Sequence, residues 1–164
     1  MTAGKLHPTA SCPKPPALQV KFYEQADDEK LQFAVVVARF RGQWVFCRHR
    51  ERNTLELPGG HREKGESILE TAGRELREET GARTFSLRPV CVYSVTGSNS
   101  VNPAGDETFG MLYTAEITAM EANLHHEIAQ VTLLTKAPEN WTYPLIQPRL
   151  FAEALARGNG LDSI

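Results

Sequence analysis

Residues 57–82 read LPGGHREKGESILETAGRELREETGA, six glutamates behind a Gly-Gly step, four of them in the last thirteen residues. Ser67-Ile68-Leu69-Glu70 has the form of a capping box, in which the serine hydroxyl takes an unpaired amide of the first turn. A helix is therefore predicted from Ile68 to Thr80, ended by Gly81 in the left-handed conformation. At 100° per residue, Leu69, Ala72, Gly73 and Leu76 share a side that is predicted to pack on a sheet, while Glu75, Glu78 and Glu79 gather on another. Acidic side chains three and four apart repel at a cost of roughly a few tenths of a kcal/mol per pair. Two offsets are open: ion pairs with Arg74, Arg77 and Lys64, or a divalent cation of the Mg²⁺ or Mn²⁺ kind, which takes hard oxygen ligands.

The spacing bears on that choice. Gly60, five residues, Glu66, seven residues, Arg74-Glu75-Leu76, one residue, Glu78-Glu79, one residue, Gly81 reproduces eight of the nine specified positions of the Nudix box. The chain thus resembles the Nudix hydrolase superfamily, whose members cleave nucleoside diphosphates linked to another moiety. The resemblance implies an α/β fold, an α/β/α sandwich with a mixed β-sheet. It also implies Mg²⁺ (or Mn²⁺) as cofactor, held by Glu75, Glu78 and Glu79 with a backbone carbonyl from the Gly59-Gly60 turn. Glu66 and Arg74 become a structural pair that fixes the loop to the helix, and Glu75 and Glu78 the candidates for general base. Such enzymes often recruit a further carboxylate from outside the box, and Glu127, just before a predicted strand in HHEIAQVTLL, is the candidate. Ala82 stands where the family usually has a bulkier aliphatic residue.

At 164 residues the chain has room for one domain with a sizeable core. A net charge of −2 lacks the basic excess of a nucleic-acid-binding surface, so no nucleic-acid partner is expected. The longest apolar run, Phe33 to Ala38, is far short of the roughly 20 residues of a membrane span. The three cysteines, Cys12, Cys47 and Cys91, form no Cys-x-x-Cys pair and suggest neither a disulfide framework nor a zinc knuckle. A cytoplasmic protein, monomer or homodimer, is expected.

Pro8, Pro13, Pro15 and Pro16 mark residues 1–16 as a tail, followed by a single domain over 17–158 and a short tail at 159–164. Strands are predicted at Leu18–Phe22, Leu31–Phe40, QWVFCRHR, SLRPVCVYSVTG, TFGMLYTAEI and AQVTLL, with a long loop in SNSVNPAGDE. PRLFAEALARG predicts a second helix, with Pro148 in its first turn and Leu150, Ala154 and Leu155 on its apolar side.

Arginine pairs well with phosphate oxygens, which makes Arg48 and Arg50, shortly before the Gly-Gly step, the candidates for substrate binding. His49 and Arg52 lie in the same stretch. Cys47 reads as a small core residue, and His125 and His126 as loop residues. Trp44, Tyr93, Phe109 and Trp141 are the aromatic side chains able to stack on a base. Downstream of the box, TGSNSV carries neither the proline typical of ADP-ribose hydrolases nor the tyrosine of diadenosine polyphosphate hydrolases. The expected substrate is by elimination a nucleoside triphosphate, normal or oxidised as in 8-oxo-dGTP, cut to monophosphate and pyrophosphate. ADP-ribose, nucleotide sugars and dinucleoside polyphosphates are the alternatives, and a nucleotide-sensing module without catalysis is another.

Overall fold

In the computed structural model, which describes residues 18–121 and 128–157, seven strands and two α-helices follow one another along the chain. They are β1 (Gln19–Tyr23), β2 (Leu31–Phe40), β3 (Gln43–His49), β4 (Gly59–His61), α1 (Ile68–Thr80), β5 (Ala82–Thr96), β6 (Thr108–Met120), β7 (Ile128–Leu134) and α2 (Gln147–Arg157). The strands make one mixed sheet in the order β1-β5-β6-β2-β3-β7. β2 lies parallel to β6 and antiparallel to β3 and β4. The edge of β2 opposite β6 is shared: β3 pairs with its last residues, Arg39 and Phe40, and β4 with Phe33, Ala34 and Val35.

Side chains alternate across a strand, and β2 shows why its apolar run is unbroken. Ala34, Val36 and Ala38 pack in one core with Ala72 and Leu76 of α1. Val35 and Val37 pack in the other with Leu150, Phe151 and Ala154 of α2. Each helix covers its own face, giving the expected α/β/α sandwich. Burying a leucine such as Leu76 or Leu150 contributes about 1.5–3 kcal/mol, so these two contacts anchor the layers.

Helix α1 has the predicted bounds: Ser67 Oγ accepts the Glu70 N–H at 3.1 Å, and Gly81, at φ 75°, donates its N–H to the Arg77 carbonyl. Its packed side differs from expectation. Leu69 is 51% exposed, because the helix rests on the i,i+4 row Ile68, Ala72, Leu76, which Thr80 continues. Leu155 of α2 is likewise 41% exposed, and Phe151 takes its place in the core. The Gly59-Gly60 step is a short strand, β4, rather than a turn, and β5 begins at Ala82 because β6 runs on to Met120 and pairs with it there. Among the described residues no helix is long and apolar enough to cross a membrane. Both predicted tails, with Cys12, lie outside the described residues, as do Glu127, His125 and His126.

Candidate active site

Strand β4 lies between β2 and α1, and its glycines are there because neither side has room for a side chain. A Cβ on Gly59 would run into the Ala34 carbonyl oxygen, and a Cβ on Gly60 into the Glu75 carboxylate. The Glu75 carboxylate therefore lies directly on the Gly60 backbone. One residue earlier, the Gly59 N–H donates to Glu79 Oε1 at 2.9 Å.

The three helical glutamates do not share one environment. Positions i, i+3 and i+4 span about 100° of arc, so Glu79 falls beside the packed row, Glu75 on its flank and Glu78 outside it. Glu79 is 7% exposed and the Glu78 side chain 46%. Arg74 gathers the outer carboxylates: Nε and Nη2 donate to the two oxygens of Glu66 at 2.7 and 3.0 Å, and Nη1 donates to Glu75 Oε1 at 2.8 Å and Glu78 Oε2 at 3.3 Å. Nη2 also takes the His61 carbonyl at 3.0 Å, so the arginine ties helix, loop and β4 together. Its hydrogen bonds hold the Glu66 carboxyl down at about 2. Burial first, and the Glu79 charge second, push Glu75 up to about 7.

Behind Glu79 lies a second layer. Cys47 of β3 and Glu56 exchange backbone hydrogen bonds as an antiparallel pair, which puts both side chains on the same side. Among the described residues, Cys47, Glu56 and Glu79 bring potential ligand atoms within 4.8 Å of one another. The Cys47 thiol is 3.6 Å from Glu79 Oε2, and His49 Nε2 is 2.5 Å from Glu56 Oε1 and 3.4 Å from Glu79 Oε2. Burial raises the Glu56 pKa, and burial, then Glu79, raise that of Cys47 well above the ordinary thiol value. The hydrogen bond to Glu79 raises that of His49.

Glu56, Gly59 and Gly60 open on a cavity of about 340 Å³. Its far wall is largely apolar, with Phe33, Tyr93 and Val95 from the sheet, and it is closed by Val101 of the β5–β6 loop and Ile146 ahead of α2. Gln147 fixes the floor, its side-chain oxygen accepting the Leu57 N–H at 2.8 Å. Phosphate-sized acidic chemistry and an aromatic-walled cavity thus meet at β4.

Comparison with known proteins gives the family. The sequence pattern of the NUDIX domain matches residues 28–146. The chain belongs to the Nudix family. Among Nudix relatives it is 33% identical over 124 residues, 75% of this chain and 74% of the relative, to a Bacillus subtilis (strain 168) protein named "Putative 8-oxo-dGTP diphosphatase YtkD". The crystal structure of the Bacillus subtilis pyrophosphohydrolase BsRppH superposes with a TM-score of 0.69 at 26% identity, covering 86% of this chain and 91% of that one. A C. elegans Ap4A hydrolase shares the Nudix fold at 16% identity, with a TM-score of 0.60 over 79% of this chain and 99% of that one.

Not every residue singled out in the sequence reaches the carboxylates or the cavity. The Arg48 guanidinium turns to the Arg52 carbonyl at 3.1 Å, and Arg50 stands exposed in the turn after β3. Arg52 is the arginine of that stretch that touches a cavity-lining carboxylate, at 3.3 Å from Glu56 Oε2, and it also donates to the Tyr143 hydroxyl at 3.4 Å. Trp44 and Trp141 pack edge-on against Phe151 in the α2-side core, and Phe109 packs on Tyr23; of the four aromatic candidates, Tyr93 lines the cavity. Sequence reading passed over Glu56 and Gln147. The signal for Glu56 was a charge between Leu55 and Leu57 just ahead of the Gly-Gly step.

Proposed function

We propose that this Nudix protein is a Mg²⁺- or Mn²⁺-dependent pyrophosphohydrolase that cuts a nucleoside triphosphate, oxidised purine forms included, to a monophosphate and pyrophosphate. The observation that carries this reading is the Glu75 carboxylate resting on the Gly60 backbone at the edge of the cavity. Similarity to the Bacillus subtilis relative supports the choice of a triphosphate over other nucleoside diphosphate derivatives.

A dication suits the donor set. Burial first, and the neighbouring Glu79 charge second, hold the Glu75 pKa up to about 7, and a hard cation offsets both. Glu75, Glu78 and Glu79 would hold it, with a carbonyl of Gly59 or Gly60 and Glu127 as further ligands. When bound, the cation would neutralise non-bridging phosphate oxygens and lower the pKa of the attacking water. Glu75, held by Arg74, and the exposed Glu78 are the candidates to take the proton of that water. Arg74 aims the Glu75 carboxylate through the 2.8 Å bond and is itself clamped by Glu66. Arg52 at the cavity edge, with Arg48 and Arg50 beyond it, supplies positive charge for the phosphates, and the largely apolar cavity gives the nucleobase a surface to pack on.

The test is a screen of the purified protein for pyrophosphate and monophosphate release with Mg²⁺ or Mn²⁺. Normal and oxidised nucleoside triphosphates are set against ADP-ribose, nucleotide sugars and dinucleoside polyphosphates. Metal-dependent turnover of a triphosphate is expected. Turnover confined to the other compounds removes the substrate assignment, and binding without turnover removes the enzyme.

A further inference from the structure

The inner layer behind Glu79 has a chemistry that phosphate hydrolysis does not use. Its donors are a thiol, an imidazole and two carboxylates, from β3, the segment ahead of β4, and α1, and both carboxylates are buried. We propose that Cys47, Glu56 and Glu79, flanked by His49, form an inner site for one thiophilic divalent cation of the Zn²⁺ class, with Glu79 shared between it and the hard-cation site at the outer carboxylates.

The spacing argues for it. Tetrahedral Zn²⁺ with bonds of about 2.3 Å to sulfur and about 2.0 Å to oxygen or nitrogen sets sulfur–oxygen edges of about 3.5 Å and nitrogen–oxygen edges of about 3.3 Å. The Cys47 Sγ to Glu79 Oε2 separation is 3.6 Å, and that from His49 Nε2 to Glu79 Oε2 is 3.4 Å. The ligand atoms of Cys47, Glu56 and Glu79 already lie within 4.8 Å of one another, and His49 Nε2, 2.5 Å from Glu56 Oε1, is the contact that gives way to an ion on Glu56. Glu79 turns its two oxygens to different tasks: Oε1 holds the Gly59 amide and Oε2 faces inward. Sulfur selects the ion, since a thiolate favours Zn²⁺ over Mg²⁺ by its softness. On binding, the thiol proton leaves to water. Entry is by way of Glu56, which lines the cavity.

The site does not rest on the proposed reaction, and its test needs no substrate. In the full chain carrying Cys12→Ser and Cys91→Ser, Cys47 is the single thiol. Cd²⁺ titrated into this protein in excess Mg²⁺ is expected to give a sulfur-to-cadmium charge-transfer band that saturates at one equivalent. The band should vanish in Cys47→Ala and weaken in affinity by about tenfold or more in Glu56→Gln. Co²⁺ in the same protein should give the intense visible bands of a tetrahedral centre, a readout that needs no further substitution. Absence of the charge-transfer band from the folded single-thiol protein overturns the site. So does a weak octahedral Co²⁺ spectrum, or an affinity that Glu56→Gln leaves unchanged.

Discussion

The Gly59 amide donates to Glu79 Oε1 at 2.9 Å, joining a strand to a helix across twenty residues of chain. This bond gives a buried acid on the packed side of α1 a structural purpose. It also separates Glu79 from its exposed neighbour Glu78. In Glu79→Gln the remaining carbonyl can keep Gly59, but an amide NH₂ then replaces the acceptor that faces Cys47 and His49. A loss of about 1–3 kcal/mol is expected in urea unfolding of the metal-free protein. Glu78→Gln, on a half-exposed side chain, should stay within about 0.5 kcal/mol. Equal losses would mean that the two glutamates are not placed as described.

Turnover should divide these residues differently. If the outer carboxylates hold the hard cation, Glu78→Gln removes a ligand without disturbing the fold. The rate at saturating Mg²⁺ should fall by more than about 100-fold, beyond the effect of losing a mere supporting partner. Wild-type turnover in Glu78→Gln would take Glu78 out of the metal site.

The two glycines of β4 allow a sharper separation. Gly59→Ala pushes a methyl group against the Ala34 carbonyl oxygen, which is backbone of the central strand and cannot move alone. A lower melting temperature is expected. Gly60→Ala meets the Glu75 carboxylate, which can swing away. That variant should melt near the parent and lose activity, as measured by kcat at saturating substrate and metal. A Gly60→Ala enzyme with full kcat would show that the Glu75 position is not required.

Stability should fall with rising pH when no cation is present. Glu75 has its folded pKa raised to about 7 from 4.5, so the folded chain binds the extra proton between those values and its contribution is lost as pH rises through about 7. Glu56, raised by burial, and His49, raised by its bond to Glu79, act in the same direction. Glu66 has the opposite sign, but its contribution is lost only as pH falls from 4.5 towards about 2. Melting in EDTA at pH 5 and pH 8 reads the balance: the higher temperature is expected at pH 5, Mg²⁺ should narrow the gap, and Glu75→Gln should reduce it. A higher melting temperature at pH 8 in EDTA would reverse the sign assigned here.

Much of this architecture was legible because it is local. The bounds of α1 follow from Ser67 and Gly81, and the doubly buried β2 from an unbroken apolar run, both readable from spacing alone. What stayed hidden depends on where the helix sits on the sheet. Periodicity put Leu69 inside and the three glutamates together, and a helix turned slightly about its axis exposes the first and divides the others. Glu56 and Gln147 were unreadable for another reason. Their partners are Cys47, His49, Arg52 and the Leu57 amide, and Gln147 meets the last of these across ninety residues, a contact that exists only once the sheet has formed. Spacing offered Arg74 as one of several ion-pair partners and the resemblance paired it with Glu66; in the fold it bonds Glu66 and also holds Glu75 and Glu78.

The sheet keeps its two responsibilities on separate pieces of chain. The helical carboxylates hang on α1 and lean on β4, while the cavity takes its closure from the β5–β6 loop and the approach to α2. Neither Val101 nor Ile146 is a partner in the hydrogen bonds described for Arg74 and Glu79. A lineage built this way can exchange what it recognises in small neutral steps while its reaction chemistry is inherited intact, and the same division gives a protein engineer a recognition surface that can be randomised without dismantling the catalyst.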